Sequence, residues 1–122
     1  MQTIGQRVES DPSSDRTVVI ALSGELDLYR APEVRQELEN ALDQGVRKIV
    51  VDLSTTTYID STILSVLSYG AKRLRAVNGE LAVVCTDRSI LKLLQMTLLD
   101  LMLSVYDDRD QALGRTNSLL AT

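Results

Sequence analysis

Strand-length apolar runs that alternate with segments of helical period predict an α/β protein. The expected architecture is a mixed, mostly parallel sheet of about five strands with an antiparallel N-terminal edge and helices packed on the sheet. Three observations carry the prediction. Thr17–Leu22, Ile49–Val51 and Leu81–Val84 are apolar runs that read as buried strands. Long stretches with one apolar face separate them and are long enough to return the chain as helices. At the start, residues 2 to 9 suit an edge strand, and the turn-rich Ser10-Asp-Pro-Ser-Ser-Asp15 would fold it back as a hairpin.

Taken in order, Thr17–Leu22 is the second strand, and Ser23-Gly24 weakens the pattern at its end. After Asp27 a short loop leads to Ala31-Pro32-Glu33, where proline suits the first turn of a helix. Val34, Leu38, Ala41 and Leu42 give that helix one apolar stripe, and Gly45 stops it. Its other face carries Glu33, Glu37, Glu39, Asn40 and Asp43, which read as a solvated surface and not as a metal site. Val46 to Leu53 is the third strand, with Asp52 near its carboxyl end and Ser54–Thr57 as a polar loop after it. A long helix follows from Ser61. On a helical wheel Ile63, Val66, Leu67, Gly70, Leu74 and Val77 share the core side, while Thr62, Ser65, Ser68, Tyr69 and Lys72 share the polar side. Asn78-Gly79 then breaks to the strand Glu80–Cys85. Thr86-Asp87 caps a helix from Arg88 to Met96 in which Ile90, Leu91, Leu93 and Leu94 can pack. Ser104–Tyr106 is a short last strand, and a final helix begins near Asp107-Asp108. No linker divides the 122 residues, so they read as one domain, 1–122, with no element assigned to the tail from about Gly114.

Composition removes several functions. With four Tyr and neither Phe nor Trp, the core must be aliphatic, and there is no set of rings on which single-stranded nucleic acid could stack. The net charge of −4 argues against direct binding of nucleic acid, although Lys72, Arg73 and Arg75 form a local basic patch. No apolar window approaches the roughly 18 residues of a membrane span and no signal peptide is apparent, so a cytoplasmic protein without a membrane role is expected. The lone Cys85 ends an apolar strand and reads as an inert core residue; a redox sensor would need an exposed thiolate beside a cation. Histidine is absent, which excludes Ser-His-Asp and Cys-His catalysis and every metal motif that needs an imidazole. A hydrolytic Ser61 would need a lysine base. The nearest, Lys72, lies about three turns along the same helix, out of hydrogen-bond reach. No catalytic residues and no cofactor are expected.

The junction Ile59-Asp60-Ser61-Thr62 is the stretch that stands out. Asp and Ser are residue types that cap a helix, since a side-chain oxygen there accepts bonds from N–H groups that have no partner in the helix. Loops at the carboxyl ends of parallel strands are also where ligands reach an α/β sheet. Together with Ser23-Gly-Glu-Leu-Asp27 upstream, this junction resembles the phosphorylation motif of the anti-anti-sigma factors, small bacterial domains of the STAS group. The order and spacing agree over most of the chain.

That resemblance implies a STAS-like sandwich and a regulatory binding module in which Ser61 is the phosphoacceptor, with Thr62 as the alternative. It implies a docking surface made of Asp27, Asp60, Ser61, Thr62, Ser65 and Tyr69. The partners would be an anti-sigma factor with serine kinase activity and a phosphatase that restores the unmodified state. The sequence departs from the family where Ile63-Leu64-Ser65 replaces Gly-Leu-Gly. Ile63 then has two readings, as added core packing or as a changed contact point for a partner. A second reading of the whole chain keeps the fold without the switch: an adaptor in a larger signalling or transporter complex, with Ser61 only a cap. Asp52 raises a third, a two-component receiver domain, but the acidic cluster after the first strand and the lysine after the last are not evident.

Overall fold

The computed structural model describes residues 4–10 and 16–114. Its element order is β1 (Ile4–Ser10), β2 (Arg16–Leu26), α1 (Ala31–Asp43), β3 (Lys48–Ile59), α2 (Ser61–Arg75), β4 (Glu80–Val84), α3 (Arg88–Met96), a 3₁₀ turn (Leu99–Leu101), β5 (Ser104–Tyr106) and α4 (Arg109–Ala112). The connection expected across residues 11–15 and the tail beyond 114 lie outside the described residues. The strands form one sheet in the order β1-β2-β3-β4-β5. β2, β3, β4 and β5 run parallel, and β1 lies antiparallel along β2 with Ile4 opposite Leu22 and Ser10 opposite Arg16.

Strand alternation explains the continuous apolar runs. Successive side chains point to opposite faces, so a strand covered on both sides is apolar throughout. Val18, Ile20, Leu22, Ile49, Val51, Leu53, Leu81, Val83 and Cys85 enter one core, which also takes in Val34 and Leu38 of α1, Ile63 and Leu67 of α2, and Ile90 and Leu94 of α3. Their neighbours Val19, Val50, Ala82 and Val84 enter a smaller core on the other face, closed by Ala112 of α4 and Leu113.

Several details differ from the sequence expectation. Ser54–Thr57 is not a loop: β3 continues through it to Ile59, because β2 also continues and supplies a partner, with Ser23 opposite Thr55 and Leu26 opposite Ile59. Val77 is not on the core face, since α2 ends at Arg75 and Val77 is 51% exposed beyond it. Leu64 is buried instead, on the flank of the face that carries Ile63. The break after α2 is sterically defined. Asn78 adopts φ +59°, and a Cβ on Gly79 would stand 2.3 Å from the carbonyl oxygen of Arg47.

Asp52 lies within β3 and not at its end, on the face closed by α4. Arg109 donates to its Oδ2 from Nε at 3.0 Å and from Nη2 at 2.7 Å, and the Ser54 N–H donates to Oδ1 at 2.9 Å. Burial pushes its pKa up, but the Ser54 hydrogen bonds and the Arg109 contact outweigh burial and hold the carboxyl below its usual range. The aspartate that suggested a receiver domain is thus a buried anchor for α4.

Candidate functional site

The site is built by two strands that outrun the sheet. β4 pairs with β3 only from Lys48 to Asp52, so from Leu53 to Ile59 β3 is paired with β2 alone. Two register shifts, between Ala21 and Ser23 and between Gly24 and Glu25, let this ribbon twist away from the sheet. Gly24 stands at the second shift with φ +77°, a left-handed conformation in which a side chain would be strained, so the glycine of Gly24-Glu-Leu-Asp27 has a geometric reason. Leu26 and Ile59 are register partners at the ribbon's end. Asp27 and Asp60, the next residues, therefore leave from adjacent positions.

Each aspartate organises a backbone turn. The Asp27 carboxylate accepts the Tyr29 N–H at 3.0 Å, while its carbonyl accepts the N–H groups of Arg30 and Ala31 and starts α1. Oδ1 of Asp60 accepts the N–H groups of Thr62 at 2.9 Å and Ile63 at 3.1 Å, so Asp60 is the N-cap of α2. Ser61 is the first helical residue. It is exposed, and its hydroxyl makes no hydrogen bond among the described residues; its carbonyl accepts the Ser65 hydroxyl at 3.1 Å. Thr62 and Ser65 are exposed as well.

Two shallow hollows flank this helix start. One, of about 360 Å³, is lined by Leu28, Ala31, Pro32, Arg35, Thr62, Ser65 and Val66. The other, of about 280 Å³, is lined by Ser61, Leu64, Ser65, Ser68, Thr97 and Leu99. Ser61 and Thr62 thus open onto different hollows, and Ser65 borders both. Tyr69, expected on the free polar face, is half-buried and fastened to α1. Arg35 lies 4.2 Å over its ring, and its hydroxyl bonds to Glu39 and Arg73. The arginine patch is thereby partly occupied, since Arg73 also pairs with Glu39 at 3.4 Å.

The departure from the family motif resolves residue by residue. Ile63 is wholly buried and Leu64 nearly so, which makes both core residues. Only Ser65 changes the surface. Leu28 and Tyr29, 56% and 79% exposed, escaped the sequence reading; large apolar residues in a loop beside the motif were the available signal. Arg35 was not foreseeable, because its proximity to Tyr69 depends on how α1 packs on α2.

Cys85 is buried and its thiol donates weakly to the Asp87 carbonyl at 3.8 Å. Burial pushes its pKa up. Among the described residues no group of three or more His, Cys, Asp or Glu is placed to hold a metal, and no helix is long and apolar enough to cross a membrane. What this arrangement offers chemically is an exposed hydroxyl, positioned by a cap, at the carboxyl end of a parallel sheet.

A parallel sheet with a projecting ribbon, a capped helix start and an exposed serine at the junction together define the class: the chain belongs to the STAS domain family, whose model matches residues 10–112. Among relatives, it is 33% identical over 91 residues to the anti-sigma-B factor antagonist of Staphylococcus aureus, spanning 74% of this chain and 84% of that protein. Its fold is similar to an anti-sigma factor antagonist from Mycobacterium paratuberculosis, with a TM-score of 0.78, 26% identity and 93% of each chain covered. It is also similar to the Bacillus cell fate determinant SpoIIAA in its phosphorylated form, with a TM-score of 0.68 over 93% of this chain and all of that one; at 24% identity this likeness concerns the fold.

Proposed function

We propose that this chain is an anti-sigma factor antagonist, a binding module switched by phosphorylation of Ser61. Unmodified, it docks on an anti-sigma factor that is also a serine kinase and so frees a sigma factor for transcription. The kinase transfers the γ-phosphoryl group of ATP to Oγ of Ser61; the hydroxyl proton passes to a base of the kinase, and ADP leaves. The phosphorylated chain dissociates, and a phosphatase hydrolyses the ester to restore the serine. The chain acts in the cytoplasm, as substrate and ligand rather than as an enzyme, and needs no cofactor.

The observation that carries this reading is the state of Ser61. Its hydroxyl is exposed and without a hydrogen-bond partner among the described residues, whereas the neighbouring Asp60 is engaged by two backbone N–H groups. An acceptor must be accessible, and a cap that holds the first turn presents it at one place. The names of the relatives support the partner class. Thr62 is the alternative acceptor, and Asp27, Asp60, Thr62 and Ser65 surround Ser61 on the docking face. Tyr69 takes part there by holding α1 against α2.

Incubation with the cognate kinase and ATP, followed by mapping of the phosphate, tests the assignment. One phosphoryl group on Ser61, lost in Ser61→Ala, is expected. Quantitative labelling that survives Ser61→Ala would overturn it.

A further inference from the structure

Three large apolar side chains are exposed within six residues: Met96 at 69%, Leu98 at 62% and Leu101 at 72%. Met96 is the last residue of α3, Leu98 precedes the 3₁₀ turn and Leu101 ends it. Thr97 and Leu99, bonded neighbours of Leu98, line the same hollow as Ser61. Leu98 also adopts φ +61° and ψ +15°, a left-handed conformation that disfavours any residue with a Cβ. The turn is held in that shape: Thr97 Oγ1 donates to the Leu93 carbonyl at 2.7 Å, and the Met102 and Leu103 N–H groups both bond to the Leu99 carbonyl. A strained backbone that ends with its leucine in water gains nothing from the burial of that side chain.

We infer that Met96, Leu98 and Leu101 form the apolar half of the docking surface, and that the anti-sigma factor covers them with an apolar patch of its own while it lies over Ser61. This inference rests on the reading of the Ser61 face as a docking site. Leu98 stands between Thr97 and Leu99 at the edge of the Ser61 hollow, and that adjacency selects this occupant over a second copy of the chain. It also supplies a reason for the switch to be sharp. The hollow is lined by hydroxyls and by Leu64 and Leu99 and by no cation, so a phosphate on Ser61 would be enclosed beneath the partner with no counter-charge from this lining.

The probe is the purified kinase shown by phosphate mapping to label Ser61, without ATP, titrated against four proteins: wild type, Leu98→Gly, Leu101→Ser and Val77→Ser. Leu98→Gly removes the side chain and relieves the left-handed strain together. It should keep or raise the thermal midpoint while affinity falls about tenfold or more. Leu101→Ser should weaken binding by a similar factor at an unchanged midpoint, and Val77→Ser, exposed at the far end of α2, should bind as wild type does. If Ser61 is labelled but Leu98→Gly and Leu101→Ser bind as wild type does, this inference falls while the proposed function stands. A concentration-dependent dimer that Leu101→Ser dissolves, with kinase affinity unaltered, would assign the patch to a second copy and overturn it. If no kinase labels Ser61, the underlying reading fails and the inference fails with it.

Discussion

Replacing Asp60 separates the two things its carboxylate does. Oδ1 accepts two backbone N–H groups in the first turn of α2, and its negative charge stands at the positive end of the helix. Loss of a side-chain cap costs about 0.5–2 kcal/mol, and loss of a charge at a helix N-terminus about 0.3–1 kcal/mol. The first turn also carries Ile63 and Leu64, both buried, so fraying there would expose apolar surface and places Asp60→Ala in the upper part of the combined range, about 2 kcal/mol. For a domain of this size that corresponds to a fall in thermal midpoint of about 6–12 °C. Asp60→Asn keeps an acceptor oxygen and loses only the charge, so it should cost about 0.3–1 kcal/mol. Scanning calorimetry on the three proteins at neutral pH and low salt is the assay. A midpoint for Asp60→Ala within a degree of wild type would refute the cap as a source of stability. Equal losses in both variants would show that charge, and not hydrogen bonding, does the work.

Four further outcomes follow from the packing. The Asp52 pKa is lower in the fold than in the unfolded chain, so its contribution is present above the ordinary carboxylate range and is lost as the pH falls through the folded value; an acid titration of stability should show this loss in wild type and not in Asp52→Asn. Asp52→Asn should itself cost roughly 2 kcal/mol at neutral pH, read from urea midpoints, because it weakens a hydrogen-bonded charge pair that holds α4. Gly79→Ala should destabilise by about 2 kcal/mol or more by the same measurement, since its Cβ would meet the Arg47 carbonyl at 2.3 Å and a backbone atom cannot swing aside. Cys85 should react with a thiol reagent far more slowly in native protein than in urea, its burial both shielding the sulfur and disfavouring the thiolate.

What the sequence disclosed was set by the range of the interactions. The caps Asp60 and Asp87 and the helix from Arg88 to Met96 depend on neighbours within one turn, and all were legible. β3 was read too short because Ser54–Thr57 is polar, and its pairing depends on β2, some thirty residues earlier in the chain, extending beside it. Asp52 falls inside β3 for the same reason, and its role as an anchor is hidden in the sequence because Arg109, its partner, is 57 residues away. Tyr69 lay correctly off the core face of α2, but the wheel could not show that α1 would supply Arg35 and Glu39 to hold it. Ile63 had two readings because a helical wheel places a residue on a side without saying how deeply that side is covered.

Binding of the phosphorylated chain tests the central claim most directly. A phosphoserine at position 61 carries roughly −1.5 to −2 charge at neutral pH. The helix N-terminus favours it by about 0.3–1 kcal/mol, while Asp60 in the cap and Asp27 at the adjacent strand end oppose it, so the fold should be little affected. Pressed beneath a partner without an opposing cation, the same group costs several kcal/mol. Protein phosphorylated on Ser61 and unmodified protein should therefore have thermal midpoints within a few degrees of each other, while affinity for the anti-sigma factor falls by about a hundredfold or more. Equal affinities, or a midpoint lowered by about 10 °C or more, would contradict a switch that works by blocking a surface.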